Sequence, residues 1–309
     1  MFGLTALLAQ SAPSGFVVWV DKVARAPLSL VVIFALVFTA IRLVVWPILK
    51  KTPRHERYGM YTVARYVNDI CDAVVYAGVV VFMLVRPFGV QTFFIPSGSM
   101  INTLHLYDYI VANKFVYRFS EPQRNDIVVF KPPKRALFEG QGDTDFIKRL
   151  IGKAGDVIEW KNKKLYRNGQ PVDEPYVDYT YPGDANGPPM PRQEWDQIRQ
   201  ANFKLIKDGD QYIPVQYTDY TVNMMPLGDP VDDDMVTGCA KELVPKNPEE
   251  ARRWRDAPPA AIPPGYFFFM GDNRNGSFDG RGWGLVPRDS IIGKSEFIWF
   301  PMSRWRLTK

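Results

Sequence analysis

The sequence predicts a mainly β domain, built as an irregular antiparallel sandwich or barrel and anchored by two N-terminal transmembrane helices. Three observations predict it. Residues 26–49 carry a single charge, Arg42, in 24 positions. A second apolar run, Ala73–Val85, lies between Asp72 and Arg86. From residue 91 onward the pattern changes to short alternating or apolar runs divided by Pro, Gly and Asn, with few amphipathic helices.

The elements follow in chain order. Residues 1–25 are mildly apolar, and their first charge is Asp21. Without a basic n-region they do not read as a cleaved signal peptide, and they are assigned to the membrane surface on the extracytoplasmic side. Residues 26–49 are long enough to cross a bilayer as the first helix, with Arg42 snorkelling or facing another helix. Residues 50–69 hold Lys50, Lys51, Arg54, Arg57 and Arg65, against only Lys22 and Arg25 before the first run. That bias places the connecting loop in the cytoplasm. The second helix is assigned to 70–90. Its uncharged centre is short for a span, so a buried or re-entrant helix is the competing reading. Residues 91–309 then lie outside the cytoplasm, in a bacterium at the periplasmic face of the inner membrane.

Within 91–309, strands are predicted at Asp108–Ala112, Asp126–Phe130, Val157–Trp160, Lys163–Arg167, Gly265–Met270 and Ile291–Trp299. Asn168-Gly169 is a hairpin signal. Residues 161–264 read as a large, loop-rich insertion carrying Gly187–Pro191, the acidic triplet Asp232–Asp234 and Pro258–Pro264. One amphipathic helix is predicted at Arg192–Ile206. The apolar Phe297–Pro301 stretch with Trp305 reads either as an interfacial patch or as core.

Bulk properties exclude several classes. The formal charge of +5 is partly the cytoplasmic loop, and no aromatic-basic ladder accompanies it, so no nucleic-acid partner is expected. Cys71 and Cys239 would occupy different compartments, and no disulfide is expected between them. No Cys/His cluster has metal-ligand spacing, and no cofactor is implied. The acidic triplet lacks EF-hand spacing, and Gly152-Lys153-Ala154-Gly155 lacks the leading glycine of a P-loop.

Ser97-Gly98-Ser99-Met100 offers a serine among small and apolar neighbours. A serine nucleophile needs a base. The chain has two histidines. His55 falls in the cytoplasmic loop, and His105 lies only six residues past Ser99, where a sharp turn would be needed; an ordinary loop histidine is the simpler reading. Lys148, bracketed by Phe146, Ile147, Leu150 and Ile151, has apolar flanks that favour a neutral amine, although a solvated strand lysine would carry the same flanks.

The segment Phe94–Met100 followed by Thr103-Leu104 resembles the nucleophile segment of bacterial type I signal peptidases. Arg124–Phe130, Phe146–Arg149 with Gly152 and Gly155-Asp156, and Gly271–Arg274 with Ser277, Asp279, Arg281 and Gly284 resemble the family's later boxes, in the same order. The resemblance implies a membrane-bound serine endopeptidase that removes signal peptides from exported preproteins. Those signal peptides, the lipid bilayer and the translocation machinery would be its partners. It implies Ser99 as nucleophile, Lys148 as general base, and Ser97 with the Ser99 N–H as oxyanion hole. Ser277, Asp279 and Arg281 would orient or support the lysine. Ile95, Pro96, Met100, Leu104, Phe146 and Ile147 would line pockets for small residues, with core packing the competing reading for each. Two positions depart from the family pattern: Asn102 stands where a proline is usual, and Asn125 where a glycine is usual. A dedicated processing peptidase of the same fold, and a membrane-tethered β domain that only binds exported chains, are the alternative functions.

Overall fold

The computed structural model describes residues 28–53, 57–80, 89–137, 142, 144–179, 201–219, 221–223, 225–226 and 243–308. Expectations for residues 1–25, the 187–191 run, the acidic triplet and Cys239 lie outside these residues.

The chain separates into two units. The first contains helices α1 (Leu28–Lys51) and α2 (Met60–Val79). Among the described residues, α1 is the one helix long and apolar enough to cross a membrane, over Ser29–Lys51 with mean hydropathy 2.4. Its Phe34, Leu36, Leu43 and Val44 side chains are exposed. Lys50 and Lys51 end it favourably, placing positive charge at the negative pole of the helix.

The second helix differs from its prediction. It starts at Met60, well before residue 70, and is described to Val79. Arg65, Asn68 and Asp69 therefore lie on a helix, against the loop expected up to residue 69. The helix continues there because its polar groups find partners. Arg42 Nη1 pairs with Asp72 Oδ1 at 2.6 Å, Arg42 Nε donates to Asn68 Oδ1 at 3.4 Å, and Arg65 faces Asp69 one turn on. Arg42 thus faces a second helix, one of its two expected placements.

The strands form two sheets. The strands are β1 (Val90–Phe94), β2 (Tyr109–Asn113), β3 (Ile127–Phe130), β4 (Phe146–Lys153), β5 (Ile158–Lys161), β6 (Lys164–Arg167), β7 (Gln170–Pro171), β8 (Asn202–Asp208), β9 (Gln211–Tyr217), β10 (Thr221–Val222), β11 (Met225–Pro226), β12 (Tyr266–Met270), β13 (Val286–Pro287), β14 (Ile291–Phe300) and β15 (Arg306–Leu307). One sheet runs β1-β2-β14-β3-β4-β12-β13, with β15 on β14; the other runs β11-β10-β9-β8-β5-β6-β7. All six predicted strands are present to within a residue or two. Asn168 and Gly169 sit at φ 53° and 75°, the pair of positive φ values a tight hairpin between β6 and β7 demands.

The structure departs from two further expectations. Residues 202–206, assigned to the end of a helix, form strand β8, paired along its length with β9. Phe203, Leu205 and Ile206 are all buried, so the run is apolar on both faces, and tertiary pairing decides what periodicity alone leaves ambiguous. The 161–264 segment is also not loop-rich where it is described. It supplies β6–β11 and helix α3 (Pro248–Asp256), which is capped by Asn247 accepting from the Glu250 N–H.

A core of Ile151, Phe268 and Met270 from the first sheet and Ile158, Trp160, Leu165, Phe203 and Leu205 from the second joins the two sheets. Phe203 stacks on Phe268 with ring centres 5.1 Å apart, a contact of about 0.5–1.5 kcal/mol beyond area burial. Ile298 of the C-terminal apolar stretch is core, whereas Met302 and Trp305 are exposed.

Candidate active site

Strand β4 carries the lysine and the loop after β1 carries the serine. Ile95 N–H donates to the Asp108 carbonyl and Tyr107 N–H to the Ile95 carbonyl, both at 2.9 Å, which closes residues 96–106 into a loop. A helical turn follows Ser99, with the Leu104 N–H on the Met100 carbonyl at 2.7 Å. Met100 and Leu104, both without accessible surface, anchor that turn in a core cluster with Ile95, Ile110 and Ile127. Ser99 sits where the turn begins.

In β4 the side chains alternate, so Phe146 and Lys148 share one face and Ile147 and Arg149 the other. Lys148 Nζ donates to Ser99 Oγ at 2.8 Å and to its neighbour's carbonyl, Ile147 O, at 3.2 Å. The amine also lies 5.5 Å from the centre of the Phe146 ring. Lys148 is 5% exposed. Burial lowers its pKa from 10.5 to about 8, against Asp279 and Asp272, which favour the ammonium. Ser97 is on the open side, its Oγ 3.4 Å from Ser99 Oγ. Among the described residues, Lys148 and Ser97 are the side chains at hydrogen-bond distance of the Ser99 hydroxyl. His105 instead turns its backbone N–H to Asp108 Oδ2, and burial and Arg304 lower its pKa.

The 271–284 segment closes the site from below. Asn273 N–H donates to the Ser99 carbonyl at 3.1 Å, and Asn273 Nδ2 to the Gly98 carbonyl at 3.2 Å. Gly271 permits the approach: a Cβ there would stand 2.2 Å from Ser277 Oγ and 2.5 Å from the Ser99 carbonyl oxygen. Asp279 caps the short helix α4 (Gly280–Trp283) and accepts from Arg281 Nε and Nη2, each at 2.9 Å, and from the Gly271 N–H at 3.0 Å. Burial alone would raise the Asp279 pKa; Arg281, the Gly271 N–H and the Ser277 hydroxyl outweigh it and hold the carboxyl at about 2. Ser277 is thus fully buried between Gly271 and Asp279.

A buried ion pair ties the boxes together. Arg149 binds Asp272 through Nε at 2.8 Å and Nη2 at 2.6 Å, its Nη1 donates to the Asn125 carbonyl, and Thr103 Oγ1 donates to Asp272 Oδ2. Asn125 takes φ 73°, a left-handed conformation that Asn tolerates better than other residues with a side chain, so it fits where a glycine would. Asn102 takes φ 21°, which the ring of a proline cannot adopt.

The structure brings Ser97, Ser99, Lys148, Ser277, Asp279 and Arg281 into one region. It divides the six pocket candidates. Pro96 is exposed and Phe146 and Ile147 are half-buried, whereas Ile95, Met100 and Leu104 lie in the core beneath the loop. Two residues beyond the sequence-derived set, Glu174 and Tyr176, bind arginines of the same region. Spacing gave no signal for them, because they sit in the segment read as an insertion.

Residues 67–300 match the family described as signal peptidase, peptidase S26. Signal peptidase I of Aquifex aeolicus is 32% identical over 225 residues, covering 71% of this chain and 78% of that protein. Signal peptidase I of Haemophilus influenzae is 29% identical over 264 residues, covering 72% and 67%. Signal peptidase I of Pseudomonas aeruginosa is 28% identical over 242 residues, covering 71% and 68%.

Proposed function

Because the chain belongs to the signal peptidase family, peptidase S26, we propose that it is a membrane-bound serine endopeptidase using a Ser99–Lys148 dyad to cut exported preproteins. Its substrates would carry small residues at −1 and −3 of the cleavage site. The observation that carries this reading is the 2.8 Å contact between a buried lysine amine and the Ser99 hydroxyl.

Above its depressed pKa the amine is neutral and accepts the Ser99 proton while Oγ attacks the scissile carbonyl. The resulting oxyanion takes hydrogen bonds from the Ser99 backbone N–H and the Ser97 hydroxyl. Such a donor is typically worth ~10²–10³ in rate. The lysine ammonium then protonates the leaving amine, and the neutral amine activates the water that frees the acyl group. Asp279, kept ionised by Arg281, and Ser277 fix the floor beneath the lysine. Pro96, Phe146 and Ile147 offer surface to a substrate, with Ile95, Met100 and Leu104 behind them. A shallow apolar wall of this kind rejects large side chains by overpacking, while alanine gains a modest burial contribution.

The exposed apolar surface of α1 supports a membrane anchor, since water penalises a helix apolar over its whole circumference. A second crossing within 70–90 would place the Ser99 unit outside the cytoplasm of a bacterial inner membrane. There anchoring raises the local concentration of a membrane-held precursor. The translocation machinery is a natural neighbour at that face.

The test is processing of a secretory precursor by the purified full-length protein. Ser99→Ala and Lys148→Ala are each expected to lower the rate by at least roughly 10²–10⁴-fold. Full processing by either variant would end this reading.

A further inference from the structure

We propose that the segment Glu174–Tyr179 braces the catalytic centre, with Glu174 and Tyr176 as positioning residues for both Ser99 and Lys148. The inference rests on the reading of those two residues as the dyad. The segment leaves the end of β7 and runs beside the 271–275 loop. The Asp178 N–H donates to the Asp272 carbonyl at 2.9 Å, and the Arg274 N–H to the Asp178 carbonyl at 2.8 Å, forming a parallel bridge between Asp178 and Asn273. Asn275 Nδ2 donates to the Tyr179 carbonyl at 2.9 Å. The braced loop is the one whose Asn273 holds the carbonyls of Gly98 and Ser99.

Two side chains extend the brace into the site. Glu174 accepts from Arg274 Nη1 at 2.9 Å and Nη2 at 2.5 Å, a pair with side chains 8% and 1% exposed. Arg274 lies over the Trp160 ring at 4.8 Å, and its carbonyl accepts from Arg281 Nη2, the guanidinium that also binds Asp279. Tyr176 donates its hydroxyl to Glu174 Oε1 at 2.9 Å, and its ring lies 3.9 Å from the Arg149 guanidinium. Arg149 is the β4 neighbour of Lys148. One short segment therefore holds the loop on which the Ser99 carbonyl rests and the residue beside the lysine.

A surface pair would contribute little, but this one is buried. Removing the charge of Glu174 leaves Arg274 buried without its partner, a state that relaxes by admitting water or by moving the loop. Either relaxation reaches Asn273, and through it the Ser99–Lys148 contact. The charged groups facing the lysine amine are Asp279 and Asp272, each already paired, with Arg281 and Arg149. The amine stays weakly basic because the site is dry, so water admitted by a loosened brace raises its pKa toward that of a solvated lysine. Loss of the Glu174 charge acting only through space would move it the other way, by leaving more positive field near the amine. The sign of the shift separates displacement from simple electrostatics.

The experiment uses the full-length protein in detergent, with Glu174→Gln, Glu174→Asp and Tyr176→Phe. Two quantities are read: turnover of a precursor with alanine at −1 and −3, and titration of the Lys148 amine by NMR. Glu174→Gln is expected to lower kcat about 10–100-fold, as a displacement of an ångström or less at the reacting atoms would. Its KM should stay within about twofold, and the acid limb and the amine titration should both move to higher pH. Glu174→Asp should recover most of both, and thermal melting confirms that each variant is folded. A folded Glu174→Gln protein with wild-type kcat and titration overturns the proposal, as does a shift to lower pH. If Glu174→Gln does not fold, Tyr176→Phe decides, with a smaller shift in the same direction expected and wild-type behaviour overturning it. A wild-type protein that leaves the precursor uncut refutes the proposed function, and the brace is then judged on the titration alone.

Discussion

Lys148 concentrates the physical tension of this molecule in one side chain. Its amine is driven by burial to a pKa of about 8, below the 10.5 of a solvated lysine. Between those values the unfolded chain holds a proton that the folded chain does not, so stability rises with pH across that window. Below about pH 8 the buried amine opposes folding by about 3 kcal/mol. Lys148→Met is therefore expected to melt higher than wild type at pH 7, with the margin narrowing toward pH 10.5, as calorimetry over that range would show. Processing should behave in the opposite sense, rising with pH through about 8 as the amine becomes a base; a flat profile from pH 6 to 9 would contradict this assignment. Gly271 is constrained as tightly from another side. Gly271→Ala places a methyl against Ser277 and the Ser99 carbonyl and is expected to cost about 1–3 kcal/mol and most of the turnover. Denaturant unfolding and precursor cleavage would measure the two effects.

At the scale of elements, strands were more legible than helices. The six strand assignments hold because short runs, alternating or, as in β3 and β12, apolar throughout, are bounded by Pro, Gly and Asn. The Asn168-Gly169 turn holds because its φ values restrict which residues can occupy it. Residues 202–206 carry no strand signal of their own because Phe203, Leu205 and Ile206 are buried on both faces of β8, which removes the alternation. Helix α2 begins earlier than expected, and on it Arg65 lies one turn from Asp69 while Asn68 and Asp72 face Arg42. In the turn entering β3, Asn125 sits at a left-handed φ with its carbonyl on Arg149. Asn125→Gly should be close to neutral, whereas Asn125→Ala should cost about 1 kcal/mol, read from urea midpoints; equal midpoints for the two would show that the conformation exerts no control there.

The molecule as a whole joins an apolar helix to a two-sheet unit in which four sequence segments converge. If α1 and the 70–90 region both cross the bilayer, Thr52 and Glu249 lie on opposite sides. In a background with Cys71 and Cys239 replaced by Ser, Glu249→Cys in intact spheroplasts should react with an impermeant maleimide, and Thr52→Cys only after permeabilisation. The reverse pattern, or labelling of both, would refute the two-crossing arrangement. The sequence by itself determined the family, the β class of the second unit and the residue types able to do the chemistry, since motif order and local alternation are written along the chain. Only the tertiary structure decided that Lys148 is dry, that it touches Ser99, and that Glu174 and Tyr176 reach the same centre. Burial and contact depend on groups far apart in sequence: Lys204 is also apolar-flanked and buried, yet its amine donates to the Arg255 and Ala257 carbonyls, whereas that of Lys148 reaches Ser99.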